Sequence, residues 1–242
     1  MSSFEVQALL MSLQVALITM LIATPLALAL ATVMARTRWR GKLMLDALIL
    51  LPMALPPVVI GFALLVTLGG ESAFGAWLTH DLGLRLSFYP TGAVLAALVM
   101  TVPLMVRLLR PALEATDPLL LPVARTLGAT RWQGWWTITL PMVWPVVASA
   151  MALGLAAAWG ESGATLVLAA ALRPHQLGDT TAPVAMVQAL LNEEDGIDTA
   201  GRLALVSLGV ALAAVVASEF GRRHWRRRWQ SRLRPVGLPV QA

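Results

Sequence analysis

Glu161 closes a long uncharged stretch, residues 132–160, and is followed by Ser162, Gly163, Ala164 and Thr165. Hydroxyls and backbone amides at such a place can donate to an oxyanion, and an ionisable group at membrane depth is a functional candidate by default. Glu161 itself only accepts when ionised, and it reads as a structural acceptor for nearby backbone, Ser162 or Thr165. Ser162, Gly163 and Thr165 are then the groups that could face an anion. Bond-breaking chemistry finds no comparable set. His80, His175 and His224 fall in separate loops or in the tail, which forms neither a metal-ligand spacing nor a nucleophile pair. The sequence has no Gly-rich phosphate loop ending in Gly-Lys-Ser/Thr, so ATP has no route to this chain by that motif. No residue is assigned a catalytic or metal-binding role, and with no cysteine there is no thiol chemistry. Ser12, Ser149 and Ser207 read as hydroxyls bonded back to carbonyls of their own helices.

The elements that must hold these residues are membrane spans. Of 242 residues, 58% are hydrophobic and 13% charged, and the mean hydropathy is +0.74, outside the range of ordinary globular domains. Uncharged runs at 6–35, 47–70, 86–106 and 132–160 each reach the ~20 apolar residues that cross a bilayer as helix. A fifth, 203–218, is shorter, but Arg202 and Glu219 can snorkel from its ends. Residues 180–192 are uncharged yet too short to cross, and predict an interfacial or re-entrant helix. The expectation is an all-α integral membrane protein with five transmembrane helices, near 6–35, 47–70, 86–106, 138–160 and 200–220. They form a single transmembrane domain over 1–221, followed by a basic tail at 222–242. The first run lacks a preceding basic segment and is too long for a signal peptide, so it is expected in the mature chain.

Orientation follows from the basic residues. Arg36, Arg38, Arg40 and Lys42 fill the first connection, Arg107, Arg110, Arg125 and Arg131 the third, and seven arginines from Arg222 to Arg234 the tail. The other side keeps Arg85, Arg173 and Arg202 among Glu5, Glu71, Asp81, Asp179, Glu193, Glu194, Asp195 and Asp198. This predicts the N-terminus outside and the C-terminus in the cytoplasm, which requires an odd number of spans. The tail's arginines interleaved with Trp225 and Trp229 could suit nucleic acid. Directly after a span they read instead as contacts to anionic lipid headgroups, with the tryptophans in the interface belt.

Two stretches depart from plain spans. Pro52, Pro56, Pro57 and Gly61 interrupt the second run, and freed carbonyls at membrane depth are tolerated where protein or a water cavity receives them. That points to a pathway-lining break, with a packing kink as the alternative. The third connection, about 114–137, is longer than a turn between neighbouring helices needs. Asp117-Pro118 can open it as cap and first helical position, Pro122 can open a short helix over 123–127, and Gly128 can end it in a left-handed conformation. A second short helix is predicted over 131–137. Ala124, Leu127 and the tryptophans would give the pair an apolar face for a partner's groove.

The spacing of that connection resembles the cytoplasmic loop of ABC-importer permeases, with pattern Glu-Ala-Ala, three residues, Gly, nine residues, Ile-x-Leu-Pro. Here Ala124, Gly128, Ile138, Leu140 and Pro141 occupy the matching places. Pro122 and Val123 replace the first two residues of the pattern, so an ion pair made by that Glu does not carry over. The sequences Leu51-Pro52-Met53-Ala54-Leu55-Pro56-Pro57-Val58-Val59-Ile60-Gly61, Pro103-Leu104-Met105-Val106-Arg107 and Gly160-Glu161-Ser162-Gly163-Ala164-Thr165 narrow the likeness to permeases of the molybdate type.

The resemblance implies a type I ABC-importer permease fold in the cytoplasmic (inner) membrane of a prokaryote, working by alternating access. It implies a second copy of the chain, a pair of ATP-binding subunits carrying ATP and Mg, an external molybdate-binding protein and the lipid as partners. No cofactor on this chain and no nucleic acid are implied. Val123, Ala124, Arg125, Leu127, Gly128, Ala129, Trp132 and Trp135 would form the ATPase-coupling loop. Pro56, Pro57, Gly61, Ser162, Gly163 and Thr165 would lie along the translocation path. A permease for tungstate or sulfate is the alternative within the class. A secondary carrier or membrane enzyme is the alternative outside it, and neither inverted repeats nor clustered His or Asp favour one.

Overall fold

The computed structural model describes residues 2–37, 40–70, 72–81, 83, 90–117, 119–169, 180–192 and 196–232, without the side chains of 169, 192 and 222–232. Within these residues the regular structure is helical. The elements are α1 (Ser3–Arg36), α2 (Lys42–Ala54), α3 (Pro57–Leu68), α4 (Ala73–Asp81), α5 (Pro90–Glu114), α6 (Leu120–Thr126) and α7 (Arg131–Gly134). A π-turn (Trp135–Thr139) leads into α8 (Leu140–Trp159), and α9 (Gly163–Ala169), α10 (Ala182–Asn192) and α11 (Gly196–Arg232) follow. Four helical stretches are long and apolar enough to cross a membrane: Ser3–Arg36, Pro90–Glu114, Arg131–Trp159 and Gly196–Gly221. The pair α2 and α3 makes a fifth if counted as one span, although it bends by 110°.

The first span starts where its sequence says a helix can. Ser2 accepts from the Glu5 amide at 3.2 Å while the Glu5 carboxylate accepts from the Ser2 amide at 3.0 Å, a reciprocal cap. Along α1, Ala8, Ser12, Ala16, Thr19, Ala23, Ala27 and Ala31 form a buried stripe of small side chains. The same helix turns Leu10, Leu13, Leu17 and Leu21 outward. That division suits a bilayer, where lipid is as apolar as leucine and close backbone approach drives helix association. The stripe packs mainly on α5, whose buried face includes Ala93 and Ala97, and then on α8.

Three serine hydroxyls tie helices together rather than closing on their own turns. Ser149 donates to the Ser218 carbonyl at 3.0 Å, Ser207 accepts from the Trp159 indole at 3.2 Å, and Ser12 accepts from the Ala182 amide at 2.7 Å. This corrects the sequence expectation for all three serines. Sequence cannot show which faces meet, and an interhelical partner satisfies a hydroxyl in hydrocarbon as well as its own helix does.

One end of the bundle is basic and cross-linked. Arg36 at the end of α1 donates to Thr139 at 2.9 Å, and Arg110 of α5 reaches Asp46 of α2 at 2.6 Å and Glu114 at 2.8 Å. The opposite end of α1 carries Glu5, fully buried, whose carboxylate takes two bonds from Arg202 of α11, at 2.6 and 2.9 Å. Among the described residues no cluster of His, Cys, Asp or Glu could hold a metal ion. His80 lies in the last turn of α4, while His175 and the side chain of His224 lie outside the described residues.

Candidate functional site

Two parts of the chain carry the residues singled out by sequence. The first is the crossing of α3 on α9. The chain leaves α2 after Ala54, turns through Leu55 and Pro56, and re-enters helix at Pro57, which suits the first helical position because its missing N–H would be unpaired there anyway. Pro52 sits inside α2 and does not make the break. Past the break, α3 lies against α9 so closely that a Cβ on Gly61 would stand 2.7 Å from the Ala164 carbonyl oxygen and 2.8 Å from its Cα. Reciprocally, a Cβ on Gly163 would stand 2.6 Å from the Pro57 Cβ. Each helix therefore needs a missing side chain where the other passes. Ala164 and Leu168 of α9 are buried against Ala96 of α5, with Leu64 and Leu65 of α3 packed around them.

Glu161 caps α9. Its carboxylate accepts from the Ala164 amide at 2.8 Å, and the Gly163 and Thr165 amides face it as well. This is the structural acceptor role read from the sequence. Of the six expected path residues, Pro57, Gly61 and Gly163 lie in the close contact itself, while Pro56 precedes α3, Ser162 precedes α9 and Thr165 lies within α9. Thr165 is buried and Ser162 half-buried. Two cavities among the described residues lie away from this crossing. One of ≈590 Å³ opens among Arg36, Lys42, Glu114, Asp117 and Pro122 at the basic end. Another of ≈340 Å³ lies between α1 and α5, beside Gln14 and Ile18.

The second part is the connection between α5 and α8. Helix α6 begins at Leu120, three residues ahead of the sequence expectation, and Pro122 falls within its first turn rather than opening it. A proline is tolerated there because that amide has no intrahelical acceptor. Asp117 accepts from the Leu119 amide at 2.9 Å just before the helix; Pro118 lies outside the described residues. At the far end, Gly128 has φ +92. Its amide bonds to the Arg125 carbonyl at 3.1 Å and the next amide, of Ala129, to Ala124 at 3.0 Å, the paired bonds of a left-handed C-terminal cap.

Thr130 and Gln133 then form a reciprocal cap for α7. The expected separate helix over 131–137 is not separate: α7 passes through the π-turn directly into α8. The Thr137 hydroxyl bonds back to the Gln133 carbonyl at 2.7 Å, and π-turns of this kind recur at functional sites.

Exposure sorts the loop residues. Leu127 is 84% exposed and Trp132 68%, with Val123, Arg125 and Gly128 also outward. Ala124 is buried against its own chain, so it supports the loop from within and is not on the outer face. Trp132, Trp135 and Trp136 form a three-ring cluster with centroids 5.0–6.0 Å apart. Trp135 also packs on the bundle core, which anchors the cluster. Trp39 and the side chains of Trp225 and Trp229 lie outside the described residues.

Sequence reading passed over two features. The Glu5–Arg202 pair was signalled in part by Ser2-x-x-Glu5, a capping box, but its long-range partner was not. The alanine and hydroxyl stripe of α1 was legible from its spacing of about four residues.

Known proteins resemble the whole of this arrangement. The family described as "Binding-protein-dependent transport system inner membrane component" matches residues 23–227. The molybdenum transport system permease protein ModB of Escherichia coli (strain K12) is 38% identical over 93% of this chain and 96% of its own length. The sulfate transport system permease protein CysT of the same organism is 31% identical over 81% of this chain and 70% of its own length. Among solved structures, a bacterial alginate ABC transporter, in complex with a periplasmic protein bound to alginate pentasaccharide, has a chain that superposes with a TM-score of 0.71. The match covers 94% of this chain and 80% of that one at 18% identity, which shows a shared fold.

Proposed function

Because this chain belongs to the family of binding-protein-dependent transport system inner membrane components, we propose that it is the membrane subunit of an ATP-driven importer that carries molybdate. It is a multi-pass inner-membrane protein and a transport subunit without an ATPase site of its own; in this family ATP is used by a partner subunit. The observation that carries the substrate reading is the 38% identity to the molybdenum permease over nearly the whole of both chains. The two stretches that resemble molybdate-type permeases, distant in sequence, are here one glycine-to-backbone contact. A break at Pro56 braced against a capped half-helix is a hinge by which spans can tilt as rigid pieces.

The loop of α6 and α7 is the reading's power input. Its exposed Val123, Leu127 and Trp132 would seat on an ATP-binding subunit, one for each of two copies of this chain, with Mg held there with the ATP. The capped ends and the π-turn make the loop a stiff extension of α8, so a push on it is passed to the span. Arg36, Lys42, Arg110, Arg125 and Arg131 gather at the loop's end of the bundle, which supports placing that end in the cytoplasm and Glu5 outside. An external binding protein would deliver the anion at the Glu5 end. ATP does work in such a scheme only through its different affinity for the two states.

The test is reconstitution in vesicles with an ATP-binding subunit and an external binding protein that co-purify with this chain. Molybdate is expected to stimulate ATP hydrolysis and enter the vesicles, and tungstate and sulfate serve as comparators because the sulfate-permease likeness is weaker but real. Stimulation by sulfate without molybdate would move the assignment to the sulfate class. Uptake without any ATP-binding subunit would overturn the importer reading in favour of a secondary carrier.

A further inference from the structure

Helix α10 is too short to cross a bilayer, and the way it enters the bundle is unusual for a connecting helix. Its first residue, Ala182, gives its amide to Ser12 at 2.7 Å. Ser12 stands seven residues along α1 from Glu5, which is about 10 Å at the helical rise. The Glu5–Arg202 pair marks the polar end of the bundle, so the N-terminus of α10 lies about a third of the way into a ~30 Å hydrocarbon layer. Its other end turns back toward the start of α11, where Ala189 lies against Gly196. Ala182 and Ala185 are buried among Ala8 and Leu203, which pins the helix in that position.

A helix placed N-terminus inward presents partial positive charge and first-turn amides to the membrane interior. Here the Ala182 amide is used by Ser12, Pro183 has none, and the amide of Val184 is the first-turn donor that remains. Two hydroxyls stand at the same point. Thr181, the residue immediately before the helix, is 5% exposed, Thr180 is 3% exposed, and neither side-chain oxygen has a hydrogen-bond partner among the described residues. Buried hydroxyls without partners are costly. Two adjacent ones at an inward helix start, in hydrocarbon, are accounted for by a ligand that accepts hydrogen bonds and carries negative charge.

We infer that the N-terminus of α10, with the Thr180 and Thr181 hydroxyls, is a transient subsite for a tetrahedral oxyanion on its way through the membrane. The inference rests on the importer reading and adds the place where the anion pauses. Hydroxyls, an amide and a half-helix end hold a dianion without a fixed cation, so the anion is recognised and also released. Both hydroxyls are enclosed here, so an anion reaches them only when the spans tilt. Glu161 and the α3–α9 crossing supply the brace; the contact with the anion is made at α10.

The chain's lack of cysteine gives a direct test. In the complex with its ATP-binding subunits and binding protein in vesicles, T181C places a single thiol in this chain at the helix start. During ATP turnover a small anionic thiol reagent should label it, and molybdate should slow that labelling several-fold where chloride does not. In parallel, T180V/T181V should cut molybdate uptake by roughly tenfold, the scale expected for losing charge-assisted donors. T101V, which removes another buried unpartnered hydroxyl in α5, should leave uptake unchanged. Labelling that molybdate does not slow, or T180V/T181V uptake equal to that of T101V, overturns the subsite while the unaltered complex still transports. An unaltered complex that moves no oxyanion overturns the importer reading, and the subsite falls with it.

Discussion

Leu127 exposes 84% of its surface at the end of α6, whereas Ala164, in the other motif-bearing stretch, exposes none. Both stand beside a glycine, but the glycines differ. Gly128 has φ +92 and nothing within 4 Å of where its Cβ would be; Gly61 has ordinary helical geometry and backbone at 2.7 Å. The first needs a conformation, the second needs a void. The loop is therefore shaped by local rules and leaves apolar side chains exposed, while the contact of Gly61 with Ala164 is shaped by its neighbour and is closed to the outside. An exposed patch of this kind marks an interaction surface, and a backbone-to-backbone contact marks a joint. On the proposed reading, force enters the protein at the loop and is used at the crossing.

The sharpest way to break that contrast is G61V. Its branched side chain must displace the Ala164 backbone, and overpacking typically costs about 1–3 kcal/mol, more where backbone cannot yield. Molybdate uptake should fall to background while pull-down of the ATP-binding subunit persists. Loss of both together would show that the crossing merely holds the fold.

L127D should give the reverse pattern: capture of the ATP-binding subunit falls at least tenfold, the scale of losing an interface anchor, while the thermal unfolding of the solubilised chain is unchanged. Undiminished capture sinks the docking role of Leu127. A smaller effect is expected at the cap. G128A imposes left-handed geometry on a residue with a Cβ and should cost about 1–2 kcal/mol, visible as reduced capture, whereas G128N should recover part of it; equal behaviour of the two would remove the backbone explanation. E161Q weakens the cap of α9 by about 1 kcal/mol, so uptake should drop only a few-fold without a change in the apparent KM for molybdate. A large KM change would make Glu161 a substrate contact after all. Least of all, S149A removes one interhelical bond of about 0.6 kcal/mol and should shift thermal stability slightly with transport intact.

Legibility followed the same division. The helix stop at Gly128, the presence of long apolar helices and the capping role of Glu161 were readable because each depends on residues a few positions apart. The start of α6 was misplaced because Pro122 is compatible with several positions in a first turn, and only the backbone shows which it takes. The α7–π-turn–α8 continuity was missed because no residue forbids a separate helix there. The serines were misassigned since a hydroxyl has an acceptor in its own helix until another helix approaches.

The sequence by itself determined that this is a membrane protein of long apolar helices with a polar, tryptophan-rich loop and a proline break. Hydrophobic length, charge and the restricted dihedrals of proline and glycine are local properties, and they act wherever the chain goes. Only the tertiary structure decided that the proline break meets the Glu161 stretch, that Glu5 finds Arg202, and that α10 enters with its N-terminus inward. Those depend on which faces come together, and in a bilayer that choice is made by close packing of small side chains and by buried polar groups finding partners.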